Sequence, residues 1–144
     1  MPREEAAERI NKHGECKDII SIGTAAGLDI ACKRHSDVIR ALAMLNGIGV
    51  TSFRYHMIGN GSGESIKELA HQLGVDDYVA IEGSLPHEGV VQWLDKLDLY
   101  IQPSSSEGLS RSIVEAMSRA CPVVCSNVGG NYELIPQEDM FRVC

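Results

Sequence analysis

Residues 97–126, LDLYIQPSSSEGLSRSIVEAMSRACPVVCS, contain the pattern that decides the fold. Apolar residues dominate 97–103 and 121–126, which predicts two short buried strands. Between them, apolar positions spaced by three and four predict a helix over 110–119, and the polar segment 104–108 predicts a loop before that helix. A strand, a helix and a second strand in succession indicate part of a parallel sheet.

The same alternation extends over most of the chain. Further strands are predicted at 18–23, 53–59 and 78–83, and further helices at 36–46, 64–73 and 86–96. This pattern predicts an α/β protein, a three-layer Rossmann-like domain with a parallel sheet and helices on both faces. We expect a helical lead-in at 1–17, one domain at 18–144, and a sixth strand beginning within MFRVC at 140–144. Because that strand leads into nothing further, the chain is expected to be part of a longer protein.

Composition excludes several classes of function. The 144 residues include 13 lysines and arginines against 20 aspartates and glutamates, a net charge of −7, so nucleic acid is not an expected partner. No apolar run reaches membrane-spanning length, and the segment MPREEAAERINKH lacks the apolar stretch of a signal peptide, so neither a spanning helix nor a leader is expected. A longer protein could still associate peripherally with a membrane. Five cysteines without a CxxC pair indicate reduced thiols. The expected location is therefore the cytoplasm.

The loop and helix after residue 103 form a candidate anion site. If the helix begins near Ser110, the backbone amides around Gly108, Leu109 and Ser110 are unpaired donors at the positive end of the helix dipole. Glu107 then lies in the loop and Glu115 in the helix, where a carboxylate can accept hydrogen bonds from two neighbouring hydroxyls of a ribose. This arrangement suits a nucleotide sugar. The alternative, which spacing alone favours, is that SSSE and SIVE are two helix-capping boxes.

A longer stretch carries a resemblance to a known family. PSSSEGLSRSIVEAMSRACPVVCSNVGGNYELI, residues 103–135, resembles the E-x7-E region of the GT-B glycosyltransferases of the large retaining family 4, the glycosyl transferases group 1. Residues 57–104 resemble the part of that family that runs from a glycine-rich turn to this motif, and the resemblance covers roughly 18–143. It implies the C-terminal, donor-nucleotide-binding half of a two-domain enzyme, whose N-terminal acceptor-binding domain would be a missing partner.

The resemblance also implies roles for individual residues. Glu115 would hold the ribose hydroxyls of the donor, and Glu107 would be catalytic, facing the transferred sugar. The other implied donor-binding residues are Gly108, Leu109 and Ser110 at the diphosphate or sugar, Gly59 and Gly61 of GNGSG near the diphosphate, and Ser84 and Leu85 at the base. The alternative is that GNGSG is an ordinary strand-to-helix turn and that NVGG, 127–130, is only a tight turn.

One position departs from the family pattern. The family has an arginine after the glycine that ends the first strand, whereas Thr24 follows Gly23 here. Lys33 falls on the family lysine, so the resemblance implies that Lys33 is catalytic and neutralises the departing diphosphate. Arg34 either supplies the second positive charge or is simply solvated.

The chain lacks a metal-binding pattern. It contains no D-x-D sequence and no His/Asp/Glu cluster with metal-ligand spacing, so transfer is expected to need no metal and no cofactor. The histidines His35, His56 and His87 are expected to be surface or satisfied residues rather than catalytic bases.

The predicted function is transfer of a hexose from a UDP-, GDP- or similar sugar to a glycan or lipid-linked acceptor. The chain alone is expected to be inactive, because GT-B enzymes react in a cleft between two domains. A nucleotide-sugar epimerase of the same fold and a non-catalytic donor-fold module are the alternatives. The base, the sugar, the acceptor and the oligomeric state stay open.

Overall fold

A computed structural model describes residues 1–2, 4–8 and 17–141. Within them the strands form one six-stranded parallel sheet with the order β3-β2-β1-β4-β5-β6. The strands are β1 (Ile20–Ala25), β2 (Phe53–Ile58), β3 (Val79–Gly83), β4 (Leu99–Gln102), β5 (Val123–Ser126) and β6 (Met140–Phe141). The predicted fold class is thus confirmed, and β6 is the predicted sixth strand. Residues 142–144, where that strand was expected to continue, lie outside the described residues.

Helices connect the strands close to their predicted positions. They are α1 (His35–Gly47), α2 (Glu64–Gln72), α3 (His87–Leu94) and α4 (Arg111–Ser118). Residues 4–8 of the expected lead-in are helical, and the rest of that lead-in, residue 3 and 9–16, lies outside the described residues. No helix among the residues described is both long enough and apolar enough to cross a membrane.

The helices cover both faces of the sheet. On one face α1 and α2 contribute Ile39, Leu42 and Ile66 to a buried cluster with residues of β2. On the other face α3 and α4 contribute Leu94 and Ile113 to a second cluster. Each of these fully buried side chains stabilises the fold by about 1.5–3 kcal/mol relative to exposure. The two clusters produce the predicted three layers.

Strand β1 extends further than predicted. The prediction ended it at Gly23, but the register pairs Thr24 with Met57 and so continues the strand to Ala25. Gly23 lies inside the strand, where a side chain of the neighbouring helical layer packs directly against its backbone. A Cβ on Gly23 would lie only 2.7 Å from the Trp93 ring. The glycine therefore marks close packing rather than the end of the strand.

The order of the strands determines where a ligand can bind. From β1 the chain proceeds to β2 on one side, and β4 pairs with β1 on the other side. In open parallel sheets a crevice forms beyond the carboxyl ends of the strands at such a reversal. The loops that follow β1, β2, β3 and β4 meet at this point.

Candidate functional site

A cleft of about 830 Å³ lies at the carboxyl ends of the strands. Its walls come from the loop after β1, the glycine-rich turn after β2, the segment between β3 and α3, and the loop and first turns of α4. Sequence segments far apart in the chain therefore share one cavity.

Most of the predicted site residues line this cleft. They are Lys33, Gly59, Gly61, Ser84, Leu85, Glu107, Leu109, Ser110 and Glu115. Gly108 and Arg34 are the predicted residues that do not line it. The structure thus brings together the loop glutamate, the helix glutamate and the lysine.

Glu107 is held by three donors at one oxygen. Its Oε1 accepts hydrogen bonds from Lys33 Nζ at 2.7 Å, Ser104 Oγ at 2.5 Å and Gln102 Nε2 at 3.0 Å. Ser104 and Gln102 are buried. Charge-assisted hydrogen bonds of this kind fix the position of a carboxylate. The sequence analysis missed Ser104 and Gln102, because a polar residue at or just after the end of a strand gives no sign in the sequence of which group it will contact.

The helix that carries Glu115 has no side-chain cap. α4 begins at Arg111, and its N-cap residue Ser110 makes no capping hydrogen bond. Ser112 therefore lies inside the helix, and Glu115 is too far along to close a capping box. Ser104 of SSSE donates to the Glu107 side chain rather than to a helix amide. The capping-box interpretation of both segments is wrong.

The first turn of α4 offers donors to the cleft. Its leading backbone N–H groups have no intrahelical acceptor, and Ser110 Oγ contacts Ser112 Oγ at 3.1 Å instead of an amide. Glu115 is half-buried one turn further along and lines the same cavity. An anion can bind at this helix end while the carboxylate accepts hydroxyl donors beside it.

The glycine-rich turn packs tightly on the loop after β1. A Cβ on Gly59 would collide with the Ala26 carbonyl, and one on Gly61 would lie 2.7 Å from Asp29 Oδ2. Asp29 accepts hydrogen bonds from the Ser62 amide at 2.8 Å and the Gly63 amide at 3.0 Å. These backbone hydrogen bonds hold the pKa of the Asp29 carboxyl below its usual value. GNGSG therefore shapes the cleft wall, and Asp29 is a residue that the sequence analysis missed.

NVGG supports the loop that carries Glu107. Gly129 has φ 53°, and a Cβ there would lie 2.7 Å from the carbonyl carbon of Glu107 and closer still to its oxygen. A Cβ on Gly130 would lie 2.9 Å from Gly108 O. Only glycines allow the two backbone segments to approach in this way. The turn is a structural support for the site.

Thr24 faces the interior, away from the cleft. It is fully buried, donates from Oγ1 to Ile101 O at 2.7 Å, and accepts from the Tyr55 hydroxyl at 2.8 Å. Burial raises the pKa of that Tyr55 hydroxyl well above its usual value. Arg34 pairs through Nε with Asp37 Oδ2 at 2.8 Å. The wall of the cleft instead contains Arg111, which the sequence analysis did not consider as a cation.

The three histidines are in structural positions. His35 is buried, with Nδ1 3.4 Å from the Tyr55 hydroxyl and Nε2 3.3 Å from Gly27 O. Burial is the main reason that the pKa of His35 lies below its usual value. His56 contacts Glu82 at 2.8 Å, and His87 is exposed. These positions fit the prediction of surface or satisfied histidines.

Within the described parts of the chain, no group of three or more His, Cys, Asp or Glu residues is arranged to hold a metal ion.

Sequence comparisons connect this chain to known proteins. Residues 2–140 match the model of the family described as Glycosyl transferases group 1. Protein CapJ of Staphylococcus aureus is 30% identical over 139 residues, which make up 96% of this chain and 35% of CapJ. The 2-deoxystreptamine N-acetyl-D-glucosaminyltransferase of Streptomyces fradiae is 33% identical over 85 residues, 58% of this chain and 20% of that enzyme.

The fold also has relatives among solved structures. Anabaena Alr3699/HepE, solved in complex with UDP-glucose, matches with a TM-score of 0.76 and 22% identity. The match covers 99% of this chain and 40% of that one. At this identity the similarity is one of fold alone. The chain spans about a third of the length of CapJ, so it corresponds to only part of such a protein.

Proposed function

The chain belongs to the glycosyl transferases group 1 family, and from this premise we propose that it is the donor-nucleotide-binding half of a glycosyltransferase. The observation that carries the proposal is that Glu107, Glu115 and the first turn of α4 line one cleft. These groups provide acceptors for sugar hydroxyls and donors for an anion, which are the chemical needs of a nucleotide sugar.

Each part of the donor meets a matching group in this proposal. The Glu115 carboxylate accepts hydrogen bonds from the ribose hydroxyls, and the amides at Leu109 and Ser110 donate to the diphosphate. Ser84 and Leu85, which line the same cleft, border the base. Glu107 lies at the sugar end, where its neighbours Ser104 and Gln102 fix its position.

The proposed reaction is transfer of a hexose with retention of configuration. Negative charge develops on the diphosphate as the bond to the sugar breaks, and Lys33 with the helix amides stabilises that charge. The acceptor, a glycan or lipid-linked glycan, would be bound by a second domain in a longer protein. Similarity to relatives such as the 2-deoxystreptamine N-acetyl-D-glucosaminyltransferase supports a glycosyl donor.

We further propose that transfer needs no divalent metal and takes place in the cytoplasm. Lys33 and the helix dipole provide positive charge at the position where a metal would otherwise act. Cys32 and Cys125 are free thiols, as expected in a reducing compartment. Transfer by a longer protein should persist in EDTA, and a complete loss that magnesium restores would contradict metal independence.

Titration calorimetry tests the proposed function on the chain itself. UDP, GDP and ADP are compared with their nucleosides, and one nucleoside diphosphate should bind weakly but measurably. Weak binding is expected because closure against a second domain normally excludes water and strengthens charged contacts. Transfer to any acceptor should be undetectable, because no acceptor is positioned. If no nucleotide or nucleoside binds, the chain is not a donor-binding domain.

A further inference from the structure

The charges that line the cleft are not favourable for an anion. Three carboxylates, Asp29, Glu107 and Glu115, face two cations, Lys33 and Arg111. Lys33 is engaged by Glu107 in an ion pair of 2.7 Å, in which both side chains are largely buried. A diphosphate that enters this cleft therefore meets a lysine whose charge is already shared with a carboxylate.

Arg111 is in a different situation. Its side chain forms no hydrogen bond or ion pair with any of the residues that the structure describes, and it is exposed on the cleft wall. Arg34, the other candidate cation, pairs with Asp37 and does not line the cleft. Within residues 17–141, Arg111 is thus the cation of the cleft that forms no ion pair with a carboxylate.

The position of Arg111 in its helix is unfavourable for stability. It is the first residue of α4, where the helix dipole disfavours a positive charge, and the first turn has no acidic residue. Glu115 follows four positions later. An ion pair between residues four apart in a helix is weaker when the basic residue comes first, as it does here. Sequences depart from such local preferences mainly at functional sites. An anionic ligand bound at the same helix end would make the electrostatic surroundings of Arg111 favourable instead of unfavourable.

We propose that Arg111 binds the diphosphate of the donor and supplies it with a positive charge that is not already engaged by a carboxylate among the described residues. The inference rests on the proposed function, because it assigns one more residue to the same site. The planar guanidinium can form two parallel hydrogen bonds with phosphate oxygens, beside the first amides of α4. Arg111 then contributes, together with Lys33, to the preference for a diphosphate over a bare nucleoside.

The experiment measures that preference in the 144-residue chain. Calorimetry gives the ratio of affinities for UDP and uridine, GDP and guanosine, and ADP and adenosine, in wild type and in Arg111→Gln, Arg111→Lys, Arg34→Gln and Arg40→Gln. Arg111→Gln should lower the ratio about tenfold or more without changing nucleoside affinity. Arg111→Lys should lose less, since it keeps the charge. Arg40 is an exposed arginine of α1 outside the cleft, and its variant should match wild type.

Thermal unfolding separates this role from a structural one. Arg111→Gln removes an unfavourable interaction with the helix dipole, so its Tm should equal or exceed that of wild type. An unchanged affinity ratio in Arg111→Gln, or a loss that appears in Arg34→Gln instead, would overturn the proposal. Equal binding of nucleosides and nucleoside diphosphates by the wild type would also overturn the role of Arg111. That result would still leave a nucleoside-binding site in the cleft. A wild type that binds neither overturns the proposed function itself.

Discussion

Lys33 Nζ donates to Glu107 Oε1 across 2.7 Å, and this contact joins the loop after β1 to the loop after β4. The two residues are separated by 74 positions in the chain. Two groups with proposed catalytic roles therefore partly neutralise each other within the cleft. An anionic ligand has to compete with Glu107 for the lysine.

Replacing Glu107 with glutamine should strengthen diphosphate binding by the chain. The substitution removes a negative charge beside the anion and leaves Lys33 available, so affinity should rise about two- to fivefold. Calorimetry with the best nucleoside diphosphate measures the change. Glu64→Gln is the matched control, because Glu64 is highly exposed and pairs with Lys67 outside the cleft. Weaker binding by Glu107→Gln would show that the carboxylate assists the diphosphate rather than competing with it.

Replacing Lys33 with alanine should have the opposite effect. The variant leaves the Glu107 carboxylate without its cation, so the cleft becomes more negative and repels the phosphates. We expect most of the advantage of a nucleoside diphosphate over the bare nucleoside to disappear, with nucleoside affinity unchanged. Parallel titrations of the two ligands measure this. An equal loss for both ligands would indicate a collapsed site instead of a missing charge.

Glu115→Ala should weaken donor binding far more than Glu115→Gln. The amide keeps one oxygen that can accept from the ribose hydroxyls, whereas alanine keeps none. Losing hydrogen bonds to a charged acceptor costs on the order of 1.5–3 kcal/mol. Comparison of ribose and 2′,3′-dideoxyribose nucleotides measures the same interaction from the ligand side. Equal affinities for wild type and Glu115→Ala would exclude the proposed contact.

Gly129→Ala should damage the site through the backbone. The new Cβ would collide with the Glu107 carbonyl, in addition to the strain of a residue at φ 53°. Gly74→Ala is the matched control, because Gly74 has φ 67° and open space around its Cβ position. The control should cost about 1 kcal/mol of unfolding free energy and leave nucleotide affinity unchanged, whereas Gly129→Ala should cost more and reduce affinity. Identical behaviour of the two variants would contradict the steric argument.

His35 should make the fold less stable at mildly acidic pH. Burial lowers its folded-state pKa below the ordinary 6.5, so the unfolded chain binds the proton more readily. The contribution of His35 is complete above the unfolded pKa and is lost as pH falls below it, toward the folded pKa. Urea unfolding between about pH 7.5 and pH 5.5 should show this slope, and His35→Gln should flatten it. The same slope in the variant would assign the pH dependence to other groups.

The sequence by itself determined the order of the elements. Apolar residues with a period near two or near 3.6 mark strands and helices through local chemistry, so the extents of α1 and β4 came close to their predicted positions. The sequence also placed Glu107 in a loop and Glu115 in a helix, because the predicted start of a single helix lies between these two residues. The family resemblance then identified the lysine that accompanies them.

Only the tertiary structure decided which of these residues meet and which do not. Thr24 is buried because β1 continues its pairing with β2, and the end of a strand depends on its neighbours rather than on one glycine. Arg34 pairs with Asp37 while Arg111 reaches the cleft, and no sequence spacing distinguishes the two arginines. Contacts between distant loops, such as that of Gly129 with Glu107, exist only once the sheet has brought those loops together.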